Sequence, residues 1–201
     1  MIKNYVFDFG NVLAKFCPDE IAAIYVDNKE DRKKIIDVFF DRLYWDRLDD
    51  GTITDDEVKA CAKERLPEDL YKVGCMVYDS WIELRTPIPG MQKLVSDIKE
   101  SGRKVFLISN ISKGFVEGYH RSAWIKELFD KFDGLVFSGP LGIVKPNKEI
   151  FDYLLDKYNL KAEECIMIDD SPKNIEGAKN AGFEGYIFDG DAEKLRKTLG
   201  F

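Results

Sequence analysis

The stretch IMIDDSPKNIEGAKNAG, residues 166–182, joins a short apolar run to two adjacent aspartates and a helical pattern. Pro172 lies just inside the start of that pattern and Gly182 just past its end, as helix capping favours. The run 166–168 is apolar without alternation, which is typical of a strand buried on both faces of a parallel sheet. The stretch therefore predicts a buried strand, a polar turn and a helix.

Four other apolar runs follow the same plan, at residues 5–7, 105–108, 135–137 and 186–188. Each of them ends at a small or polar residue: Asp8, Ser109, Ser138 and Asp189. Helical patterns at 90–101 and 147–158 lie between strands. The alternation of strands and helices predicts the α/β class, with a doubly wound, Rossmann-like parallel sheet as the core.

Residues 15–85 interrupt this alternation, because they show only helical periodicity. It comes in four pieces, at 19–26, 31–43, 54–65 and 67–84. Thr54 and Glu57 have the Thr-x-x-Glu spacing of a capping box at a helix start. We therefore predict a core domain formed by residues 1–14 and 86–201, with a small helical cap domain, residues 15–85, inserted after the first strand.

The composition excludes several classes of partner. The 201 residues include 30 basic and 37 acidic ones, for a net charge of −7 at pH 7, so no diffuse cationic field can hold a nucleic acid or an anionic membrane. The longest uncharged stretch, residues 134–144, is shorter than the roughly 20 residues that cross a bilayer. Asp8 interrupts what would be a signal peptide. We expect a cytoplasmic protein, a monomer or weak homodimer, whose four scattered cysteines are buried thiols.

Polar side chains follow four of the predicted strands where each strand ends. In a doubly wound sheet, ligands bind outside the carboxyl ends of the strands, so these side chains should meet at one edge. A strand-end carboxylate such as Asp8 can attack phosphorus and form an acyl phosphate. The residues expected to converge are Asp8, Ser109, Asn110, Lys145, Asp169 and Asp170.

A phosphate dianion beside three aspartates carries a large excess of negative charge, which Lys145 alone cannot balance. A Mg²⁺ ion would supply the missing positive charge, and Mg²⁺ usually binds one or two protein carboxylates. Asp8 and Asp170 fit that number. The Ser109 hydroxyl and the backbone amides of Asn110 and Ile111 could donate to phosphoryl oxygens as charge develops on them.

These motifs resemble the haloacid dehalogenase superfamily of aspartyl-phosphate hydrolases. The matching pieces are Asp8-Phe9-Gly10-Asn11-Val12, Ser109-Asn110, Lys145-Pro146 and Asp169-Asp170 with the residues up to Gly182. The resemblance implies that Asp8 is the nucleophile, that Ser109 binds phosphate and that Lys145 bridges the two. It further implies a small-molecule phosphate ester as substrate, a cap that selects it, and Mg²⁺ held by Asp8, the backbone carbonyl of Gly10 and Asp170, with Asp169 or Asn174 in support.

Gly10 departs from the pattern of most phosphatases in this family. They carry a second aspartate two residues after the nucleophile, which protonates the leaving group. General acid–base assistance contributes roughly 10²–10⁴ in rate, so its loss matters least for good leaving groups. The Asp-x-Gly-Asn-Val form resembles a branch that includes a bacterial α-D-glucose-1-phosphate phosphatase, and a sugar phosphate such as glucose 1-phosphate is the leading substrate hypothesis.

Three alternatives compete with a Mg²⁺-dependent phosphatase. The chain could be a phosphate- or nucleotide-binding regulatory module that lost turnover with the second aspartate, a dehalogenase using Asp8 on carbon, or a phosphomutase. His120, the one histidine, is interpreted as a solvated residue rather than the missing acid. Trp45 is the best candidate for a cap residue that faces the substrate, although stacking between cap helices explains it equally well.

Overall fold

The computed structural model describes residues 1–201, and its centre is a five-stranded sheet in which every neighbouring pair of strands is parallel. The strands lie in the order β3-β2-β1-β4-β5. Their bounds are β1 Asn4–Phe7, β2 Lys104–Ser109, β3 Gly134–Phe137, β4 Cys165–Asp169 and β5 Glu184–Ile187. The predicted α/β class and parallel sheet are thereby confirmed, with β1 at the middle.

Helices of the core connect the strands and cover both faces of the sheet. The chain forms α6 Met91–Glu100 before β2, α7 Lys113–Gly118 and α8 Ala123–Phe129 before β3, α9 Ser138–Leu141 and α10 Lys148–Tyr158 before β4, α11 Pro172–Asn180 before β5, and α12 Ala192–Leu199 at the end. Short 3₁₀ turns lie at Tyr119–Arg121 and Ala162–Glu164. None of the helices is both long enough and apolar enough to span a bilayer.

Five helices lie between β1 and α6, and we call them the insertion. They are α1 Pro18–Ala22, α2 Lys29–Phe39, α3 Arg42–Asp49, α4 Asp55–Arg65 and α5 Glu68–Ser80. The predicted capping box of Thr54 and Glu57 is present at the start of α4. The single helix predicted over 31–43 is wrong, because Asp41 starts a new helix by accepting a hydrogen bond from the Leu43 amide at 3.0 Å.

The two faces of the sheet pack into separate apolar clusters. Val6 and Met167 point to the smaller cluster, under α10 and α11, whereas Phe7 and Ile168 point to the larger one. The larger cluster continues into the insertion without interruption, through residues such as Phe39. Burial of apolar surface therefore fixes the insertion to the core as well as stabilising each of them.

The chain enters and leaves the insertion at neighbouring points. The Lys15 amide donates to the Thr86 carbonyl at 2.9 Å, and the Ile88 amide donates to the Leu13 carbonyl at 3.0 Å. The two connecting segments therefore run side by side. The division into a core domain and a cap domain at residues 15–85 stays a prediction.

Away from these connecting segments, the turn that follows α3 of the insertion also contacts the core directly. The Ser138 hydroxyl donates to the Asp49 carbonyl at 2.6 Å, and the Lys113 ammonium donates to the Gly51 carbonyl at 3.2 Å. Gly51 has a φ of +73°, and a Cβ atom there would lie 2.3 Å from the Gly139 carbonyl oxygen. Only glycine tolerates both the positive φ and the close carbonyl oxygen, so Gly51 permits the insertion to contact the core at this point.

Replacing Gly51 tests this contact. We expect Gly51→Ala to lower the free energy of unfolding by about 1–3 kcal/mol through steric overlap with Gly139, in addition to the strain of a left-handed backbone. Urea denaturation measures the change. Gly102→Ala is the matched control, because Gly102 has a φ of +78° but nothing within 4 Å of the added Cβ. Equal destabilisation by the two variants would contradict the predicted contact.

Candidate active site

The ends of β1 and β4 bring two carboxylates together. Phe7 pairs with Ile168 in the parallel ladder, and the Asp8 amide donates to the Ile168 carbonyl at 2.9 Å. The register of the sheet therefore makes neighbours of Asp8, which follows β1, and Asp169, the last residue of β4. Both are buried, with 8% of Asp8 exposed and none of Asp169.

Lys145 lies between these carboxylates. Its ammonium is 2.9 Å from Asp8 Oδ1 and 2.6 Å from Asp169 Oδ2, and its side chain is completely buried. Burial alone would lower the pKa of Lys145, but the charges of Asp8 and Asp169 more than offset that effect and raise it. Lys145 is therefore a permanent cation in contact with the candidate nucleophile.

Burial has the opposite consequence for Asp8. It raises the pKa of the Asp8 carboxyl to about 6, although the Lys145 charge acts to lower it. Asp169 is held more firmly: its oxygens accept hydrogen bonds from the Ser171 amide at 2.8 Å and from the Asn174 side chain at 3.0 and 3.1 Å. Asp169 thus fixes Lys145, and the Asp8 carboxyl group is bound by Lys145 and by the backbone amide of Phe9.

Asp170 completes a group of three carboxylates. One oxygen from each of Asp8, Asp169 and Asp170 lies within 4.8 Å of the others. Asp170 is exposed, is contacted by the Asn11 amide at 3.3 Å, and has a pKa raised by partial burial and by the Asp169 charge. Since Lys145 and Asn174 occupy Asp169, two carboxylates remain for a cation. That oxygen donor set fits Mg²⁺.

The side chain of Asn110, predicted as a substrate contact, binds the backbone of Lys145 in the structure. Its side-chain amide donates to the Lys145 carbonyl at 2.9 Å, and its oxygen accepts from the Lys145 backbone amide at 2.8 Å. Asn110 therefore holds the segment that carries Lys145. The expectation for Ile111 is wrong, because its amide donates to the Ser138 hydroxyl at 2.9 Å rather than being free for a phosphoryl group. Ser109 is buried at the end of β2.

All of these elements surround one cavity of about 590 Å³ between the core and the insertion. It brings together most of the predicted site residues: Asp8, Gly10, Trp45, Ser109, Asn110, Lys145, Asp170 and Asn174. Trp45 also packs against Phe16 and Trp81 with ring centroids 5.4 Å away in both cases, so it lines the cavity and belongs to an aromatic cluster. His120 is exposed and lies outside the cavity.

Two further cavity residues, Asp49 and Arg85, are absent from the sequence-based site. The Arg85 guanidinium lies over the rings of Phe9, Phe16 and Trp81 at 5.2, 4.9 and 4.6 Å. Its Nε and Nη1 atoms are buried without a hydrogen-bond partner. Burial lowers the pKa of Arg85 to about 9, which leaves it charged at neutral pH. Neither residue belongs to a motif, and their position follows only from the packing of the insertion.

A parallel sheet with neighbouring carboxylates and a buried lysine at its carboxyl edge is suited to a hydrolytic enzyme. The chain belongs to the haloacid dehalogenase-like hydrolase family, whose family model matches residues 2–182. A D-ribitol-5-phosphate phosphatase of Bacteroides thetaiotaomicron is 28% identical over 92% of this chain and 91% of its own length. A sesquiterpene phosphatase of Aspergillus oryzae is 24% identical over 91% and 88%.

Solved structures agree with the fold. A haloacid dehalogenase family enzyme from Bacteroides thetaiotaomicron, in complex with magnesium and inorganic phosphate, superposes with a TM-score of 0.67 at 22% identity over 97% of this chain and 99% of its own. A dehalogenase superposes with a TM-score of 0.75 at 15% identity over 100% and 98%. The predicted family, fold and hydrolase class are thus confirmed.

The segment that carries Lys145 depends on a close helix contact, which gives a testable prediction. A Cβ atom at Gly177, in α11, would lie 2.3 Å from the Pro146 carbonyl oxygen. We expect Gly177→Ala to displace the Lys145–Pro146 segment, to lower hydrolase activity, and to reduce the free energy of unfolding by about 1–3 kcal/mol. Steady-state kinetics and urea denaturation measure both effects.

The control is Glu176→Ala, one residue earlier on an exposed position of α11. We expect it to change stability by no more than about 0.5 kcal/mol and to leave activity as it was. If Gly177→Ala has full activity, the contact with Pro146 does not position Lys145.

Proposed function

We propose that this protein is a Mg²⁺-dependent phosphatase that hydrolyses a small, hydroxylated phosphate monoester through a phospho-Asp8 intermediate. The observation that carries the proposal is the Lys145 ammonium, fully buried and bound to both Asp8 and Asp169. An ion pair that only stabilised the fold could lie at the protein surface and would not have to be buried. A cation that touches the nucleophile is suited to a substrate that is itself a dianion.

Each residue at the sheet edge has a task in this reaction. An oxygen of Asp8 attacks phosphorus, the bond from phosphorus to the ester oxygen breaks, and water later releases phosphate from Asp8. Lys145 contacts Asp8 and neutralises charge as the phosphoryl group arrives. The Ser109 hydroxyl, buried and lining the cavity, would donate to a phosphoryl oxygen. Bound Mg²⁺, held by Asp8, Asp170 and the Gly10 carbonyl, would supply further positive charge at the phosphoryl oxygens.

The cavity wall supports a sugar or polyol phosphate as the substrate class. The insertion contributes the carboxylates of Asp46, Asp49 and Asp50, and the connecting segment contributes Arg85. Carboxylates accept hydrogen bonds and a guanidinium donates them, so together they suit hydroxyl groups, which do both. Three acidic side chains disfavour a substrate with a second anionic group. A volume of about 590 Å³ is in the range of small-ligand sites.

The similarity to a D-ribitol-5-phosphate phosphatase along nearly the whole chain supports the same class. Glucose 1-phosphate, with an anomeric leaving oxygen, remains a second candidate on account of Gly10. A small-molecule ester in either case requires no nucleic acid or membrane partner.

The phosphatase reaction is tested with para-nitrophenyl phosphate, glucose 1-phosphate and ribitol-5-phosphate, each with Mg²⁺ and with a chelator. We expect turnover with Mg²⁺, its loss on chelation, and recovery when Mg²⁺ is restored. Asp8→Asn should have no activity, because an amide cannot attack phosphorus in place of the carboxylate.

Asp189→Asn is the matched control, since Asp189 comes shortly after the edge strand β5 but does not line the cavity. It should retain normal kinetics. Hydrolysis that survives chelation, or that survives Asp8→Asn, would overturn the proposed reaction.

Arg85→Met tests the substrate class. Methionine suits an aromatic pocket but donates no hydrogen bond. A hydrogen bond to a charged group contributes about 1.5–3 kcal/mol, so KM for ribitol-5-phosphate should rise roughly tenfold or more. KM for para-nitrophenyl phosphate, which has no hydroxyl groups, should change little. Arg121→Met, at an exposed arginine paired with Glu83 outside the cavity, is the control. Equal effects on both esters would argue against hydroxyl recognition by Arg85.

A further inference from the structure

One carboxyl group in the insertion is open to the cavity and has no partner in the protein. Asp46 pairs with Arg42 at 3.3 Å, and Asp50 accepts hydrogen bonds from the amide and hydroxyl of Thr52. Asp49 lines the same cavity and is half-buried, and its carboxyl group makes no hydrogen bond or ion pair within the protein. Polar groups that are removed from solvent normally form hydrogen bonds, so this half-buried carboxyl group is available to a ligand.

The main chain fixes where that carboxyl group lies. The Ser138 hydroxyl donates to the Asp49 carbonyl at 2.6 Å and accepts the Ile111 amide at 2.9 Å. Ser138 follows β3 and is fully buried. Ile111 belongs to the segment that leaves β2 after Ser109. A chain of two hydrogen bonds therefore holds Asp49 at a set position relative to the phosphoryl end of the cavity.

The surroundings keep a large fraction of Asp49 protonated near neutral pH. Burial raises its pKa to about 7, and the charges of Asp46 and Asp8 act in the same direction against the smaller opposing effects of Arg42 and Lys145. Asp49 is also the last residue of α3, and the C-terminal end of a helix disfavours a negative charge. A group whose pKa lies near the working pH can give up a proton and take it back.

The core has no acidic side chain two residues after Asp8, where the chain has Gly10. Gly10 lines the cavity, and a Cβ atom at that position would meet nothing within 4 Å. The same cavity is also lined by Asp49 and by Arg85, whose Nε and Nη1 atoms lack hydrogen-bond partners. A buried guanidinium with free donors stabilises negative charge that develops on a reacting oxygen. Asp49 and Arg85 together thus have the chemistry that a departing alkoxide requires.

We propose that Asp49 is the acid–base residue for the leaving group, in place of the side chain that Gly10 lacks. The inference rests on the proposed function. As Asp8 bonds to phosphorus and the ester bond breaks, the departing oxygen takes the proton of Asp49 and leaves as an alcohol. In the second half, water bonds to phosphorus and gives its proton to Asp49. The bond to Asp8 breaks, hydrogen phosphate leaves, and both carboxyl groups regain their initial states.

The dependence of rate on the leaving group tests this role. The probes are para-nitrophenyl phosphate, phenyl phosphate and ribitol-5-phosphate, whose leaving groups become progressively poorer, and kcat/KM is measured for each with Mg²⁺. We expect Asp49→Asn to reduce kcat/KM by about 10²–10⁴ for the alkyl ester and by less than about tenfold for the nitrophenyl ester. The two aryl esters separate this role from binding, because neither has a substrate hydroxyl group: loss of the acid should lower kcat/KM more for phenyl phosphate than for para-nitrophenyl phosphate. Loss of a hydroxyl contact would lower kcat/KM for ribitol-5-phosphate alone, and a general disturbance of the fold would lower it equally for all three.

Asp56→Asn is the control, because it removes a carboxylate from an exposed position of α4 in the insertion that does not line the cavity. It should leave kcat/KM unchanged for every ester. An equal loss for the two aryl esters in Asp49→Asn, or no loss for any ester, overturns the assignment of Asp49. The proposed phosphatase reaction is judged separately, by wild-type turnover with Mg²⁺ and by Asp8→Asn.

A second variant decides the matter if Asp49→Asn does not fold, which thermal unfolding would reveal. Ser138→Ala keeps the Asp49 carboxyl group but removes the hydrogen bond that positions its main chain. We expect the same steeper dependence on the leaving group, with a smaller loss for ribitol-5-phosphate than in Asp49→Asn. An unchanged dependence on the leaving group in Ser138→Ala would contradict positioning through Ser138 and, with it, the proposal.

Discussion

The ammonium of Lys145, buried between Asp8 and Asp169, is the interaction on which the rest of this site depends. Removing one partner from a buried ion pair typically costs about 3–5 kcal/mol, because the remaining charge is left uncompensated. The register of the sheet keeps both partners of Lys145 in place. Because β1 and β4 are adjacent and end at the same level, Asp8 and Asp169 both lie beside its ammonium. Asn110 then completes the arrangement by holding both backbone polar groups of Lys145. Stability and reactivity therefore share one set of contacts.

The insertion is part of the same packed body, which determines how the cavity is shared. Its apolar residues continue the larger cluster of the core, and its α3 turn is bound to the core through Ser138 and Gly51. The core lines the cavity with Asp8, Lys145 and Asp170, which in the proposed function act on the phosphoryl group. The insertion lines it with Trp45, Asp46 and Asp49. Two segments of the chain therefore supply the wall of a single cavity, and a substrate bound there would contact both.

The sequence predicts those features that depend on local pattern and strand order. Uninterrupted apolar runs predict all five strands. Because ligands bind at the carboxyl ends of the strands, the sequence also predicts that Asp8 and Asp170 lie close together. Boundaries within the insertion are less predictable, because the break at Asp41 depends on a single capping hydrogen bond. The positions of Asp49 and Arg85 cannot be predicted from the sequence, for a different reason. Their position arises from packing between segments that are distant in the chain, and no periodicity or spacing encodes it.

The absence of a side chain at Gly10 changes the geometry that the enzyme needs for acid–base chemistry. An acid two residues after the nucleophile sits on the core and meets every leaving group in the same way. An acid at Asp49 belongs to the insertion, beside the groups that contact the rest of the substrate. Correct binding of the alcohol portion of the substrate would then determine whether the leaving oxygen receives a proton from Asp49. Recognition and protonation become one event, so a poorly fitting ester is disfavoured in the chemical step as well as in binding.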